Sequence, residues 1–481
     1  MRVAILGAGF AGLAAAYTLS QKGIDVSLFE KETYPGGLAS GFKAPHWEWP
    51  LEKAYHHLFT SDWHARNLLI EIGMGKKLFF KRPITASLYG ENQESLTIYQ
   101  FDSPLSLLQF PLLSLADRLL TGAVLAYLKI TPYWQDFEKT TAKEWLLHNM
   151  GKQVYQTLWE PILVGKFGSW ADKINMAWFW ARIKKRSMQL GYIEGGFQSF
   201  AETIVQRIKK QGGIVYLGTE VTSVLRENAQ WRIETTQSKD QRLKTKDQRP
   251  TLRLHSGQAT KDHFDIVLST LPTPIFIKLF PQLPASYTKQ LQSIPHLHAL
   301  NLVLELAEPF LPPVTEHRSA SPASFDSTRR AGGQPTTDHQ SRPYWLNICN
   351  PSWPFLALVE HTNFIDPKYY GNNRLLYIGN YLPREHVFFK KSKEELLEVF
   401  KPYLSSLNPH IHHSSFIINS FLFVGPFAQP VVEVNYSRIR PPLTTPIPTL
   451  YMANLDSVYP WDRGTNYAIE LGQTAAKFIV K

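Results

Sequence analysis

Three glycines and one acid near the start of the chain have the types and spacing to hold a phosphate-bearing ligand. Gly7, Gly9 and Gly12 follow the apolar run Val3-Ala4-Ile5-Leu6 in the order G-x-G-x-x-G, and Glu30 closes a second apolar run, Asp25 to Phe29. Gly7 permits a tight strand-to-helix turn, and Gly9 removes a Cβ that would keep a pyrophosphate off the backbone. Gly12 lets the helix pack closely on the strand. Phe10 and Ala11 then supply the first backbone N–H groups of a helix whose N-terminus carries partial positive charge. A carboxylate about 20 residues further on accepts hydrogen bonds from ribose hydroxyls and repels a 2′-phosphate. This order predicts an adenine dinucleotide site.

Other reactive groups lie at longer range. Gly36-Gly37, after Lys31 and before Leu38, offers a backbone that can approach a cofactor without Cβ clashes. His56 and His57 are either a pair of buried, hydrogen-bonded imidazoles or an acid or base near neutral pH. Trp178 and Arg182 stand at i and i+4 and share one helix face, in the core or lining a pocket for a bulky apolar substrate. Near the end, Tyr459 and Trp461 precede Gly464-Thr465-Asn466, which opens a terminal helix.

The elements that must position these groups follow from pattern. A capping box, Thr141 to Glu144, predicts a helix that stops near Gly151. A helix is expected over 199–211 and a β-rich segment over 214–224. Strands are expected at 264–272, 300–306, 345–349, 356–359, 375–381 and 449–454, with a helix at 393–404. Leu105 to Ile130 reads either as a core helix pair or as an apolar surface touching membrane or a lipid-like substrate. Residues 236–263 and 316–342 are polar and read as loops or insertions.

Glycine triplet, acid, Gly-Gly pair and the terminal Gly464 helix together resemble the flavoprotein superfamily of amine oxidases, protoporphyrinogen oxidases and phytoene desaturases. The segment from Leu158 to Gly168 is similar to the protoporphyrinogen oxidase branch. UDP-galactopyranose mutases share the opening more distantly. The resemblance implies FAD, with Gly36 and Gly37 beside pyrophosphate and flavin, and a backbone group of Val221 at the adenine. The N-terminus of the terminal helix would face the flavin pyrimidine, where it stabilises the negative charge of the reduced ring. Many members have Arg where this chain has Leu38. Many have Gly-Asp where it has Ala453-Asn454, so an Asn454 amide would meet the ribityl or pyrophosphate. The mutases carry a histidine beside the flavin, and His57 is the position most similar to it. It is the first candidate for a catalytic group, with His56, Trp178, Arg182, Tyr459 and Trp461 as cavity walls.

Composition narrows the classes. The single cysteine, Cys349, excludes an intramolecular disulfide framework, and no metal motif is present. A formal charge of +11 comes without a nucleic-acid-binding motif. No run of about 18 apolar residues occurs, and the N-terminus reads as mature rather than as a signal peptide. A cytoplasmic location, with membrane association open, is expected.

The sequence therefore predicts an α/β protein: a Rossmann-type FAD-binding domain from 1–75, 190–295 and 425–481, and an α+β substrate domain inserted as 76–189 and 296–424. The expected reaction is hydride transfer from a substrate C–H bond to flavin N5, with electrons passed to oxygen, quinone or another acceptor. The expected substrate is bulky and apolar, isoprenoid- or tetrapyrrole-like. The alternatives are a flavin-dependent sugar-nucleotide mutase and a flavin-binding protein without catalysis.

Overall fold

A five-stranded parallel sheet carries the dinucleotide motif. The computed structural model describes residues 1–90, 95–237, 262–314 and 341–480. Across the sheet the strands run Ile214–Tyr216, Asp25–Phe29, Arg2–Leu6, Ile266–Ser269 and Leu450–Met452. Val3, Ala4, Ile5 and Leu6 are all buried. Both faces are covered, so these strands read as continuous apolar runs and do not alternate.

The first helix, Phe10–Gln21, is Ala-rich for the same reason. It is packed on more than one side, and Ala14, Ala15 and Ala16 have no exposed surface. Its neighbours are Gly196–Lys210 and the terminal helix Thr465–Ile479. A Cβ on Gly12 would stand 1.9 Å from the Gly7 carbonyl oxygen. The close helix-on-strand approach expected of this glycine is present.

A seven-stranded sheet forms the second layer. Its order is Ile417–Pro430, His296–Leu306, Arg374–Leu382, Ala357–Glu360, Pro343–Ile348, Ile84–Tyr89 and Thr97–Gln100. Neighbours are antiparallel except Pro343–Ile348 with Ile84–Tyr89. Its first strand continues to Pro430, past residue 425, where the sequence division returned the chain to the FAD-binding part. The helix Ala142–Val154 begins with the expected capping box, and Gly151, at φ 84°, breaks its helical backbone.

Two expectations change. Gln230–Gln237 and Asp262–Phe264 are strands of an antiparallel sheet with Thr219–Glu227, so the ends of the first polar segment are ordered ladder. The rest of that segment, and 316–340 of the second, lie outside the described residues. Leu105 to Ile130 is not a core pair. It forms two helices, Pro104–Leu108 and Leu115–Ile130, and the longer one buries only Thr121 and Leu128. Leu105, Leu108, Leu112, Leu115, Leu119 and Leu120 are exposed, because this helix turns much of its apolar surface away from the body. Among the described residues no helix is long and apolar enough to cross a membrane.

Candidate functional site

Four distant segments converge at the C-terminal edge of the parallel sheet, where ligands of open α/β sheets bind. The Gly7 N–H donates to the Phe29 carbonyl (2.8 Å), and the Gly36 N–H to the Ala8 carbonyl (2.9 Å). A Cβ on Gly37 would lie 3.0 Å from the Gly9 Cα. Gly9 thus makes room for the second glycine segment as well as for a ligand. Gly36 and Gly37 both hold positive φ, 119° and 57°, which their missing side chains permit.

Glu30 sits beside this loop. One carboxylate oxygen accepts the Ala8 N–H at 2.8 Å, the other the Glu32 N–H at 3.0 Å. Burial raises its pKa, and those two N–H groups pull it back. An ionised carboxylate has about four acceptor sites, so two remain for ribose hydroxyls. The Glu30 carbonyl in turn accepts the Thr219 N–H (2.7 Å), which starts the strand bearing Val221 next to the acid. Lys31 pairs with Glu32 at 3.5 Å and is largely exposed.

Two helix N-termini close the site. The helices starting at Phe10 and Thr465 follow Gly9 and Gly464, and neither has a side-chain cap. Uncapped N-termini present N–H groups and partial positive charge to an anion or an electron-rich ring. Phe10 turns its ring into the core against Phe200, so only its backbone serves a ligand. The Asn466 side-chain oxygen Oδ1 accepts the Ala65 N–H at 3.1 Å and ties the terminal helix to Trp63–Glu71. Glycine cradle, acid and two uncapped helices fit FAD.

Asn454 departs from expectation. Its amide donates to the Leu271 carbonyl and to Thr273 Oγ1, and its oxygen accepts the Asp456 N–H. The side chain expected to meet the ribityl or pyrophosphate caps a turn inside the protein. Leu38 is part-exposed and packs over Gly425.

His56 and His57 adjoin this site. His56 Nδ1 lies 2.7 Å from the Ala54 carbonyl, and His57 Nδ1 lies 3.4 Å from the Tyr344 hydroxyl. Burial, with Arg186, His56 and Arg182, pushes the His57 pKa down to about 3. Burial pushes His56 down to about 4. Both imidazoles are neutral at pH 7, so His57 acts there as a neutral hydrogen-bonding group. The expected acid or base titrating near neutrality is not what its surroundings make.

Beyond the histidines lies a cavity of about 80 Å³ between the second sheet and the helices Glu160–Phe167 and Met176–Lys185. Tyr55, Trp345 and Tyr381 form its aromatic walls, and Lys166, Arg182 and Arg463 bring charge to it. Arg182 is the predicted wall residue that this cavity contains. Trp178 is buried beside it, and its Nε1–H donates to Asp462 at 3.0 Å. Trp461 stacks between Trp180 and Tyr467. Tyr459 is core: its hydroxyl donates to Glu138 and accepts from Asn175, which corrects its placement as a cavity wall.

Sequence reasoning missed Lys166, Asp462 and Arg463. The available signal was a charged residue inside two otherwise apolar or glycine-rich stretches, Val164 to Gly168 and Trp461 to Gly464.

Comparison with known proteins agrees with this geometry. Residues 10–480 match the model of the family described as flavin containing amine oxidoreductase. Mitochondrial protoporphyrinogen oxidase of Nicotiana tabacum is 26% identical over 182 residues, 36% of this chain and 34% of that protein. The matched stretch thus spans about a third of that relative's length. Cyclohexylamine oxidase from Brevibacterium oxydans IH-35A superposes with a TM-score of 0.66 at 13% identity, covering 99% of this chain and 98% of that one. Reduced UDP-galactopyranose mutase superposes at 0.67 and 13% identity, covering 100% and 93%. Two different chemistries share this fold, so the fold alone does not choose between them.

Proposed function

Because the chain belongs to the family of flavin containing amine oxidoreductases, we propose that it oxidises a C–H bond of a substrate held between the FAD site and the aromatic cavity. Bound flavin supplies the hydride acceptor, N5. Gly7, Gly9, Gly12, Gly36 and Gly37 would admit the pyrophosphate, Glu30 the ribose, and the helix starting at Thr465 the pyrimidine edge. The Val221 backbone would meet the adenine.

Tyr55 and Trp345 meet edge to face, with ring centroids 4.7 Å apart, and orient a substrate against the cofactor while excluding water. His57 would hold a hydrogen bond near the reacting atoms without gaining charge. The observation that carries this reading is that Tyr55 and Arg463, both walls of the cavity, run directly into His56-His57 and Gly464. The cavity walls thus include residues next in sequence to two segments expected to meet the cofactor.

The volume bears on substrate size. At about 80 Å³ the cavity is far below the roughly 300–1,000 Å³ that encloses a drug-sized ligand. An isoprenoid- or tetrapyrrole-like body would place one end there and extend past Tyr55. Anaerobic mixing of holoprotein with carbon-donor substrates is the test: two-electron bleaching of the flavin supports the reading. Turnover of a sugar nucleotide by the reduced protein, with no net bleaching, would transfer it to the mutase class.

We also propose that the exposed leucine surface between Leu105 and Leu120 rests on an anionic lipid bilayer. The supporting observation is charge: Lys129 and Lys184 hold the end of this helix to the basic segment 182–186 through backbone carbonyls. Basic residues beside an apolar helical face are the arrangement that anionic lipid favours.

A further inference from the structure

We propose that Lys166, Arg182 and Arg463 form a subsite for an oxyanion, the carboxylate or phosphate of the substrate, in this cavity. The proposal rests on the flavoprotein reading for where the reacting carbon lies, and on this chain's own charges for the rest.

The charges do not balance. Arg182 Nη1 and Lys166 Nζ approach the same Asp462 oxygen, at 2.6 and 3.5 Å. Arg463 donates to two neutral partners, the Gln429 side chain and the Tyr381 hydroxyl. Three cations that line the cavity, Lys166, Arg182 and Arg463, therefore share one carboxylate, Asp462.

A purely structural ion pair would set one carboxylate against each buried cation, since an uncompensated buried charge is costly. Burial weighs most on these groups, and the neighbouring charges act on top of it. Burial, Arg182 and Arg463 push the Lys166 amine well below its ordinary value against the attraction of Asp462. Alone, burial would raise the Asp462 carboxyl, yet Lys166, Arg182 and Arg463 hold it well below the usual carboxylate range.

With three cations around one carboxylate, the cavity carries net positive charge that an incoming anion would offset. Asp462 adds order as well as charge. By taking the Trp178 N–H and two cations, it fixes Lys166 and Arg182 in place before any ligand arrives. Arg182 stays part-exposed, 39% at its side chain, so it is accessible to a second anion while paired. The cavity is small, about 80 Å³, so only an end of the substrate enters it.

The experiment is calorimetry on purified holoprotein with benzoate, phenyl phosphate and the neutral benzamide, with flavin content measured on the same sample. The expected result is that benzoate or phenyl phosphate binds at least tenfold more tightly than benzamide. Lys166→Met and Arg182→Met should each remove most of that preference. Phosphate binding above benzoate would identify the group as a phosphate, and the reverse as a carboxylate; both support the subsite. Equal binding of benzoate and benzamide would overturn it, as would an anion preference unchanged in both variants. If a variant fails to fold, the thermal midpoint of the unmodified protein decides: a rise with benzoate but not benzamide supports the subsite, and equal shifts refute it. A sample without flavin that still prefers anions would sink the flavoprotein reading and leave the subsite standing.

Discussion

Gly472 of the last helix lies against Ala11 of the first, so closely that a Cβ on Gly472 would stand 2.1 Å from the Ala11 carbonyl oxygen. The middle of the last helix is thereby locked to the N-terminal turn of the first. Neither helix can shift without moving the other's glycine, Gly9 or Gly464.

Gly472→Ala tests this contact. Overpacking of about 1–3 kcal/mol is usual, and a backbone clash this short belongs at or above the top of that range. The thermal midpoint should fall by several degrees, and flavin retention on gel filtration should fall with it. A variant with unchanged midpoint and full flavin would show that the helices separate freely.

His57 gives a pH prediction. Its folded pKa is depressed to about 3 from an ordinary 6.5, so its contribution to stability is present above 6.5 and is lost as pH falls toward 3. Between pH 5 and 8 it stays neutral. The pH profile of flavin reduction should therefore keep its shape in His57→Gln even where the rate changes. Loss of an apparent pKa between 6 and 7 in that variant would contradict a neutral His57.

Glu52 titrates in the opposite sense. Burial pushes its carboxyl up to about 7, while its oxygens accept the Phe197 N–H and the Tyr192 hydroxyl, each at 2.8 Å. A raised folded pKa means that its contribution is fully present below 4.5 and is lost as pH rises through 7. The linked change is about 3 kcal/mol across that window. Denaturant titrations at pH 5 and 8 should differ less in Glu52→Gln than in the unmodified protein. An unaltered difference would mean that Glu52 does not carry this linkage.

Leu115 and Leu119 are exposed at 62% and 57%, so replacing both by Ser removes apolar surface without opening a core. Stability should stay within about 0.5 kcal/mol per site, as for surface changes generally. Sedimentation with phosphatidylglycerol vesicles should drop at least fivefold. Equal sedimentation of both proteins would assign the surface to something other than lipid.

The glycine spacing was legible because strand, turn and helix each leave a local pattern, and only Gly fits at position 12 beside the Gly7 carbonyl. The Thr141 cap was legible for the same reason: Thr141 and Glu144 meet within one turn. Asn454 was misread because its partners, Leu271 and Thr273, lie far away in sequence. Lys166, Arg182 and Asp462 come from three separated segments, so their convergence has no sequence signature. The leucines of 105–120 were ambiguous because periodicity finds an apolar face and does not say what covers it.

The central claim is that both ends and the middle of this chain build one FAD site for substrate oxidation. Its most direct test is the purified protein's visible spectrum and extracted cofactor, followed by anaerobic photoreduction and exposure to oxygen or a quinone. The account predicts about one FAD per chain, absorbing near roughly 375 and 450 nm, and reoxidation coupled to reduction of the acceptor. Absence of flavin, or a reduced flavin that no acceptor reoxidises, would contradict it.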